Sequence, residues 1–146
     1  MPGASPRKRI LVVCLGNHCR SPLAAAILTS RGHDTVTVRS AALHAGRLLH
    51  QPAHPLMVQA AEALGHDISS HRGTQLTAEM LHWADSILAM DRSILGQLHQ
   101  QADPEDRPKV TLYLPGADVP DPWGKSPAAF TASAAMIEQA ADHHLR

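Results

Sequence analysis

The sequence predicts a three-layer α/β domain built on a parallel sheet, and three observations predict it. Short apolar, β-branched runs alternate with helix-patterned segments along the whole chain, an order that yields parallel strands with helices on both faces. The first run, residues 9–14, is apolar at consecutive rather than alternate positions, as in a strand covered on both sides. A chain of 146 residues with 44% hydrophobic and 18% charged residues is long enough for one core and too apolar for a disordered polymer. One domain over 1–146 is expected, with residues 1–8 a loose tail.

The elements follow in order. After the strand at 9–14, residues 22–30 carry Leu23, Ala24, Ala26, Ile27 and Leu28 and read as a helix. Ser21 is a suitable N-cap, Pro22 suits the first helical position, and Gly32 closes the helix. Residues 35–40 alternate and are β-branched, giving a second strand. Residues 42–54 are irregular around Gly46 and Pro52, and a helix at 55–64 ends at Gly65. A short helix at 76–84 starts behind Thr77, followed by a strand at 86–90 and a helix at 91–101. A fourth strand at 109–114, a Pro-, Gly- and Asp-rich loop at 115–127 and a last helix at 130–145 complete the chain.

Composition excludes several functions. Lys+Arg and Asp+Glu are 13 each, so neither nucleic acid nor a membrane surface is expected as a partner on bulk charge. The apolar stretch from Ile10 to Gly16 is too short to cross a membrane and lacks a signal-cleavage pattern, so a cytoplasmic protein is expected. The two cysteines, Cys14 and Cys19, are too few for a disulfide scaffold or a four-cysteine zinc site. Eleven histidines are scattered, without a paired spacing on one strong helix, so no metal and no cofactor is expected.

The informative stretch runs from Cys14 to Pro22, between the first strand and the first helix. Ligands of open α/β sheets bind at the carboxyl ends of strands, and a helix N-terminus offers unpaired N–H groups to an anion. Gly16 and Asn17 both tolerate positive φ, so the loop can turn successive N–H groups inward. No Gly-Lys-Ser/Thr is present, unlike a nucleotide-binding phosphate loop. A cysteine opens the loop and Arg20, a planar fork suited to two phosphate oxygens, closes it. The helix N-terminus and Arg20 favour the thiolate form of Cys14, which places a nucleophile beneath a bound oxyanion.

The run Val13-Cys14-Leu15-Gly16-Asn17-His18-Cys19-Arg20-Ser21-Pro22 resembles the active-site signature of the low-molecular-weight protein tyrosine phosphatases. Further blocks resemble the family in the same order: Ser40-Ala41, the stretch Ser70 to Leu76, Leu88-Ala89-Met90-Asp91, and Val119-Pro120-Asp121-Pro122-Trp123. The resemblance spans about residues 9–145 and implies a flavodoxin-like fold with a four-stranded sheet in the order 2-1-3-4. It implies Cys14 as nucleophile through a thiophosphoryl intermediate, with the phosphate held by residues Leu15, Gly16, Asn17, His18, Cys19, Arg20 and Ser21. Asp121 is implied as general acid, with Asp118 its rival. Asn17, Ser40 and His71 match positions that support the loop; His71 alone would read as a surface histidine.

Alternatives stay open at several positions. Ser21 serves the thiolate or merely caps the helix. Trp123 is a wall for the substrate ring or packs on the last helix. Cys19 captures an oxidised Cys14 as a disulfide or only fills space. His18 stands where the family usually has Ile, or Thr in its arginine-phosphatase branch, and Gly124 where eukaryotic-type members carry a second Tyr. The ending Asp121-Pro122-Trp123-Gly124-Lys125-Ser126 resembles bacterial members tied to exopolysaccharide export, whose substrates are tyrosine autokinases. The rival functions are a phosphoarginine phosphatase and a non-catalytic phosphotyrosine-binding module. An arsenate reductase of this fold would need two further cysteines.

Overall fold

The four residues Ile10 to Val13 are fully buried, because the strand they form lies at the centre of the sheet with helices on both faces. The protein is described as a computed structural model covering residues 6–146. Most of the expected tail at 1–8 therefore lies outside the described residues, and Lys8 already belongs to the first strand. β1 (Lys8–Cys14) pairs in parallel with β2 (Val36–Ala42) on one side and β3 (Ser86–Ala89) on the other, and β4 (Val110–Leu112) extends the sheet beyond β3. The order β2-β1-β3-β4 is the one the resemblance implies.

The helices α1 (Arg20–Gly32), α2 (Pro55–Ala63) and α5 (Pro127–Ala140) pack together over one face. α3 (Ala78–Trp83) and α4 (Arg92–Gln101) cover the other. The chain builds outward from β1 first to one side (β2) and then to the other (β3, β4), so a crevice opens at the carboxyl end of β1. The core is aliphatic: Leu11, Leu23, Ile27, Leu28, Ile87 and Leu88 are each at most 1% exposed, and each contributes roughly 1.5–3 kcal/mol by burial.

Two boundaries differ from expectation for physical reasons. α1 begins at Arg20, so Pro22 is the third helical residue, where its missing N–H costs nothing, and Ser21 lies inside the first turn rather than capping it. Gly32 has an ordinary helical φ of −78°. It is small because a Cβ there would collide with Val36 Cγ2 at the start of β2. The last helix starts earlier than expected, at Pro127, and tightens after Ala140 into a 3-10 turn over Ala141–Leu145. That turn brings the buried His144 to Tyr113, where Nε2 donates to the Tyr113 carbonyl at 2.6 Å and the rings lie 4.7 Å apart. The Tyr113 hydroxyl, wholly buried, donates to Ile137 O at 2.6 Å.

Burial holds the pKa values of His144, His71 and His18 below the ordinary 6.5 in the folded state. The folded protein then binds fewer protons than the unfolded chain at mildly acid pH. Stability is complete above about 6.5 and falls as pH drops through that value toward the folded-state pKa values. Urea unfolding at about pH 8 and about pH 5.5 should give a lower midpoint at the acid value; an equal or higher acid midpoint would contradict neutral burial of these rings.

Candidate active site

The loop from Leu15 to Cys19 leaves β1 and enters α1 at Arg20. Cys19 occupies the N-cap without any side-chain cap, and no acidic residue sits in the first turn. The first N–H groups of a 13-residue helix therefore remain available to an anion. The loop borders a cavity of about 230 Å³ lined by Cys14, Leu15, Gly16, His18, Cys19, Arg20, His44, Leu48, Asp121 and Trp123.

Asn17 sets the shape of this loop. Its φ is +54°, in the left-handed region that Asn tolerates. Its Oδ1 accepts from Thr74 N at 2.9 Å, which fixes the amide orientation and sends Nδ2 to Ser21 Oγ at 2.7 Å and Ser40 Oγ at 3.0 Å. Its carbonyl accepts from His71 Nε2 at 2.8 Å. Ser21 Oγ accepts from Asn17 and lies 2.9 Å from Cys14 Sγ, where either atom can donate; toward a thiolate only the hydroxyl can. The structure thus brings Asn17, Ser21, Ser40 and His71 into one network under the loop, and Ser21 spends its hydroxyl on sulfur.

Arg20 is 2% exposed. Its Nη1 donates to Asp91 Oδ2 at 2.9 Å and to Val119 O at 2.7 Å, and its Nη2 lies 3.8 Å from Asp121 Oδ2. Asp91 caps α4 through Oδ1, which accepts from Ile94 N at 2.9 Å, so one carboxylate anchors a helix and orients the guanidinium. Asp121 sits on the cavity rim with its side chain 41% exposed, while Oδ1 accepts from Trp123 N. Asp118 turns elsewhere: Oδ1 accepts from Arg92 N at 2.9 Å and pairs with Arg92 Nη1 at 3.7 Å. Between the two aspartates, only Asp121 faces the cavity.

Trp123 is 63% exposed at the cavity mouth rather than packed on the last helix. His18 also lines the cavity, edge-on to His54 at 5.3 Å, and His54 rests on Phe130 at 4.6 Å. Cys14 and Cys19 are both buried free thiols. Burial first, then the neighbouring Cys14, pushes the Cys19 thiol up to about 12, so it is protonated at neutral pH.

Sequence reasoning missed several contributors. Asp91 read only as a helix start; its contact with Arg20, 71 residues away in sequence, carries no local signal. Gln75 binds the β2-following loop through Ala45 N, Ala42 O and Leu43 O, and so positions His44 and Leu48. Gly73 lies so close to Leu48 O that a Cβ would overlap it. The whole arrangement can hold a tetrahedral oxyanion in N–H groups and a guanidinium, with a sulfur nucleophile below and a carboxyl group at the rim.

Asn17→Ala would leave buried partners unpaired, at about 1–3 kcal/mol each, and put alanine at positive φ. We expect a loss of roughly 2–4 kcal/mol in urea unfolding, against about 1 kcal/mol for Ser40→Ala, whose hydroxyl makes one bond to the amide.

The chain matches the family described as low molecular weight phosphotyrosine protein phosphatase over residues 9–146. It is 40% identical over 134 residues to the low molecular weight protein-tyrosine-phosphatase Etp of Escherichia coli K12, covering 90% of this chain and 88% of that one. Among solved structures it is similar to Vibrio vulnificus Wzb in complex with benzylphosphonate, with a TM-score of 0.88, 34% identity and coverage of 96% and 98%. It is also similar to the YwlE arginine phosphatase from Geobacillus stearothermophilus, with a TM-score of 0.86, 30% identity and coverage of 94% and 90%.

Proposed function

This chain belongs to the low molecular weight phosphotyrosine protein phosphatase family, and from that premise we propose how its own residues carry the reaction and which protein it serves. It is a cysteine-dependent phosphatase that hydrolyses phosphotyrosine on proteins. The observation that carries the assignment of roles is the convergence of Cys14, Arg20 and Asp121 on one cavity at the N-terminus of α1.

The phosphate enters with its oxygens on the loop N–H groups of residues 15–20 and on Arg20. Cys14 sulfur attacks phosphorus in line with the ester oxygen; the P–O bond to the ring breaks as the P–S bond forms. Asp121 gives its proton to the departing phenolate. In the second step Asp121 takes a proton from water, the water oxygen bonds to phosphorus, and the P–S bond breaks. Ser21, 2.9 Å from the sulfur, donates its hydroxyl proton to the thiolate as it leaves.

Trp123 and His18 flank the path to Cys14, and a flat ring fits between such walls. That supports a tyrosyl ester over phosphoserine, whose short side chain cannot bridge from rim to sulfur. The similarity to Etp and Wzb supports a bacterial tyrosine autokinase of polysaccharide export as the protein substrate, in the cytoplasm.

Cys14→Ser should abolish turnover while vanadate binding persists; residual activity above about a hundredth of wild type would overturn the cysteine nucleophile. Asp121→Ala should cost roughly 10²–10⁴-fold in kcat, less for esters with acidic leaving groups. Asp118→Ala should leave that leaving-group dependence unchanged. The substrate is tested by kcat/KM on phosphotyrosine, phosphoserine and phosphoarginine peptides; a preference for phosphoarginine would align the chain with the arginine phosphatase instead.

The two thiols carry a redox reading. Peroxide converts the Cys14 thiolate to a sulfenic acid, and Cys19 can displace its hydroxyl as water to form a disulfide. The high pKa of Cys19 makes that capture slow near neutrality. Recovery of activity by dithiothreitol after peroxide should be larger in wild type than in Cys19→Ser, with the difference growing as pH rises; equal recovery would leave Cys19 a packing residue.

A further inference from the structure

Away from the active site, at the end of the sheet where β3 and β4 begin, a second constellation of ligating side chains comes together. His82, near the end of α3, meets the segment that joins α4 to β4. Its Nε2 lies 3.3 Å from Asp103 Oδ2, and its Nδ1 lies 2.5 Å from Asp106 Oδ2. Ligand atoms of His82, Asp103 and Glu105 all lie within 4.8 Å of one another, and these three residues are exposed. Asp106 is different: it is 2% exposed, and its Oδ2 has no aligned hydrogen-bond donor. Its other oxygen takes the Lys109 ammonium at 2.6 Å, which in turn is fixed by the carbonyls of Leu81 and His82.

We propose that His82, Asp103 and Glu105 bind a divalent transition cation of the zinc class, with Asp106 as the buried carboxylate that orients the histidine ring. Nε2 is the ligating nitrogen, and a turn of the ring on binding aligns Nδ1–H with the unpartnered Asp106 Oδ2 beside it. A metal-bound histidine characteristically donates its other N–H to a carboxylate, and a buried carboxylate behind an exposed histidine supplies that arrangement here. The spacing agrees: tetrahedral bonds of about 2.0–2.1 Å set ligand atoms about 3.3–3.4 Å apart, and Nε2 and Asp103 Oδ2 are already at 3.3 Å. Glu105 closes the third position by a side-chain rotation, and water takes the fourth. The charges agree as well. Three carboxylates and the Lys109 ammonium leave two negative charges for a dication, and Arg107 is turned away onto the carbonyls of His99 and Ala102. An imidazole with two carboxylates is a donor set for zinc, cobalt or nickel rather than for magnesium or calcium. The bound ion would tie α3 to the chain that enters β4, two elements that meet only at their ends.

The test uses the full chain, freed of metal by chelator, with Cys14→Ser in place so that the active-site thiol takes no ion. Titration with Zn²⁺ by calorimetry should give one ion per chain with Kd on the order of a micromolar, and Zn²⁺ should raise Tm. His82→Ala and the exposed Asp103→Asn should each weaken binding at least about tenfold and abolish the rise in Tm, while Asp106→Asn should weaken it about 10–100-fold with all three ligands kept. With Cys14 intact, metal-free His82→Ala should hydrolyse para-nitrophenyl phosphate at the wild-type rate. Unchanged Zn²⁺ binding in both His82→Ala and Asp103→Asn would overturn the site. So would the absence of any effect of Zn²⁺ on Tm alongside a rise in Tm on protonating His82, which would make the cluster a histidinium held between carboxylates.

Discussion

The side-chain amide of Asn17 is the part on which the catalytic loop rests. A loop that turns its N–H groups toward an anion turns its carbonyls and one left-handed residue toward the protein interior, and those need partners there. Asn17 supplies them in one place. Its oxygen is fixed by Thr74 N, its nitrogen by two hydroxyls, and its backbone carbonyl by His71. The amide also gives a proton to Ser21, whose hydroxyl keeps its own for a thiolate at Cys14, 2.9 Å away. A fold-stabilising hydrogen bond and the polarity of the nucleophile are thus set by the same group.

Arg20 follows a related logic. A guanidinium this deeply buried has to be paired, because an unpaired charge inside a protein costs several kcal/mol. It has one partner built into the scaffold, Asp91, itself locked as a helix cap. Its other partner, Asp121, is half-exposed and more distant at 3.8 Å. The short bond to Asp91 fixes the fork against the scaffold, and the longer one leaves Nη2 toward the cavity that the proposed reaction uses. All of these partners come from the β3–β4 side of β1: Asp91 follows β3, and Val119 and Asp121 follow β4.

How much of this the sequence makes legible depends on whether the signal is local. The strand and helix order is legible because each element carries its own periodicity, and the Cys14–Arg20 loop because its seven residues are consecutive. Two Ser-Pro pairs show where locality fails. Ser126-Pro127 starts α5 within what reads as loop, whereas Ser21-Pro22, which reads as cap and first helical residue, lies inside α1 with its hydroxyl beside the Cys14 sulfur. Asp118 is taken by Arg92, which belongs to α4, and Asp121 is the one of the two that faces the cavity. The grip of Asp91 on Arg20 and of Gln75 on the pocket wall are pairings across 71 and about 30 residues that no spacing rule encodes.

Tyr113 has a consequence for signalling. It is the one tyrosine of the chain, it is wholly buried, and its hydroxyl is committed to Ile137 O. While folded, this phosphatase presents a tyrosine kinase with no acceptor, so an opposing kinase cannot reciprocally modify it and the enzyme has no substrate of its own in cis. A tyrosine kinase acting on the same substrates therefore has no handle on this enzyme through its one tyrosine while the chain stays folded.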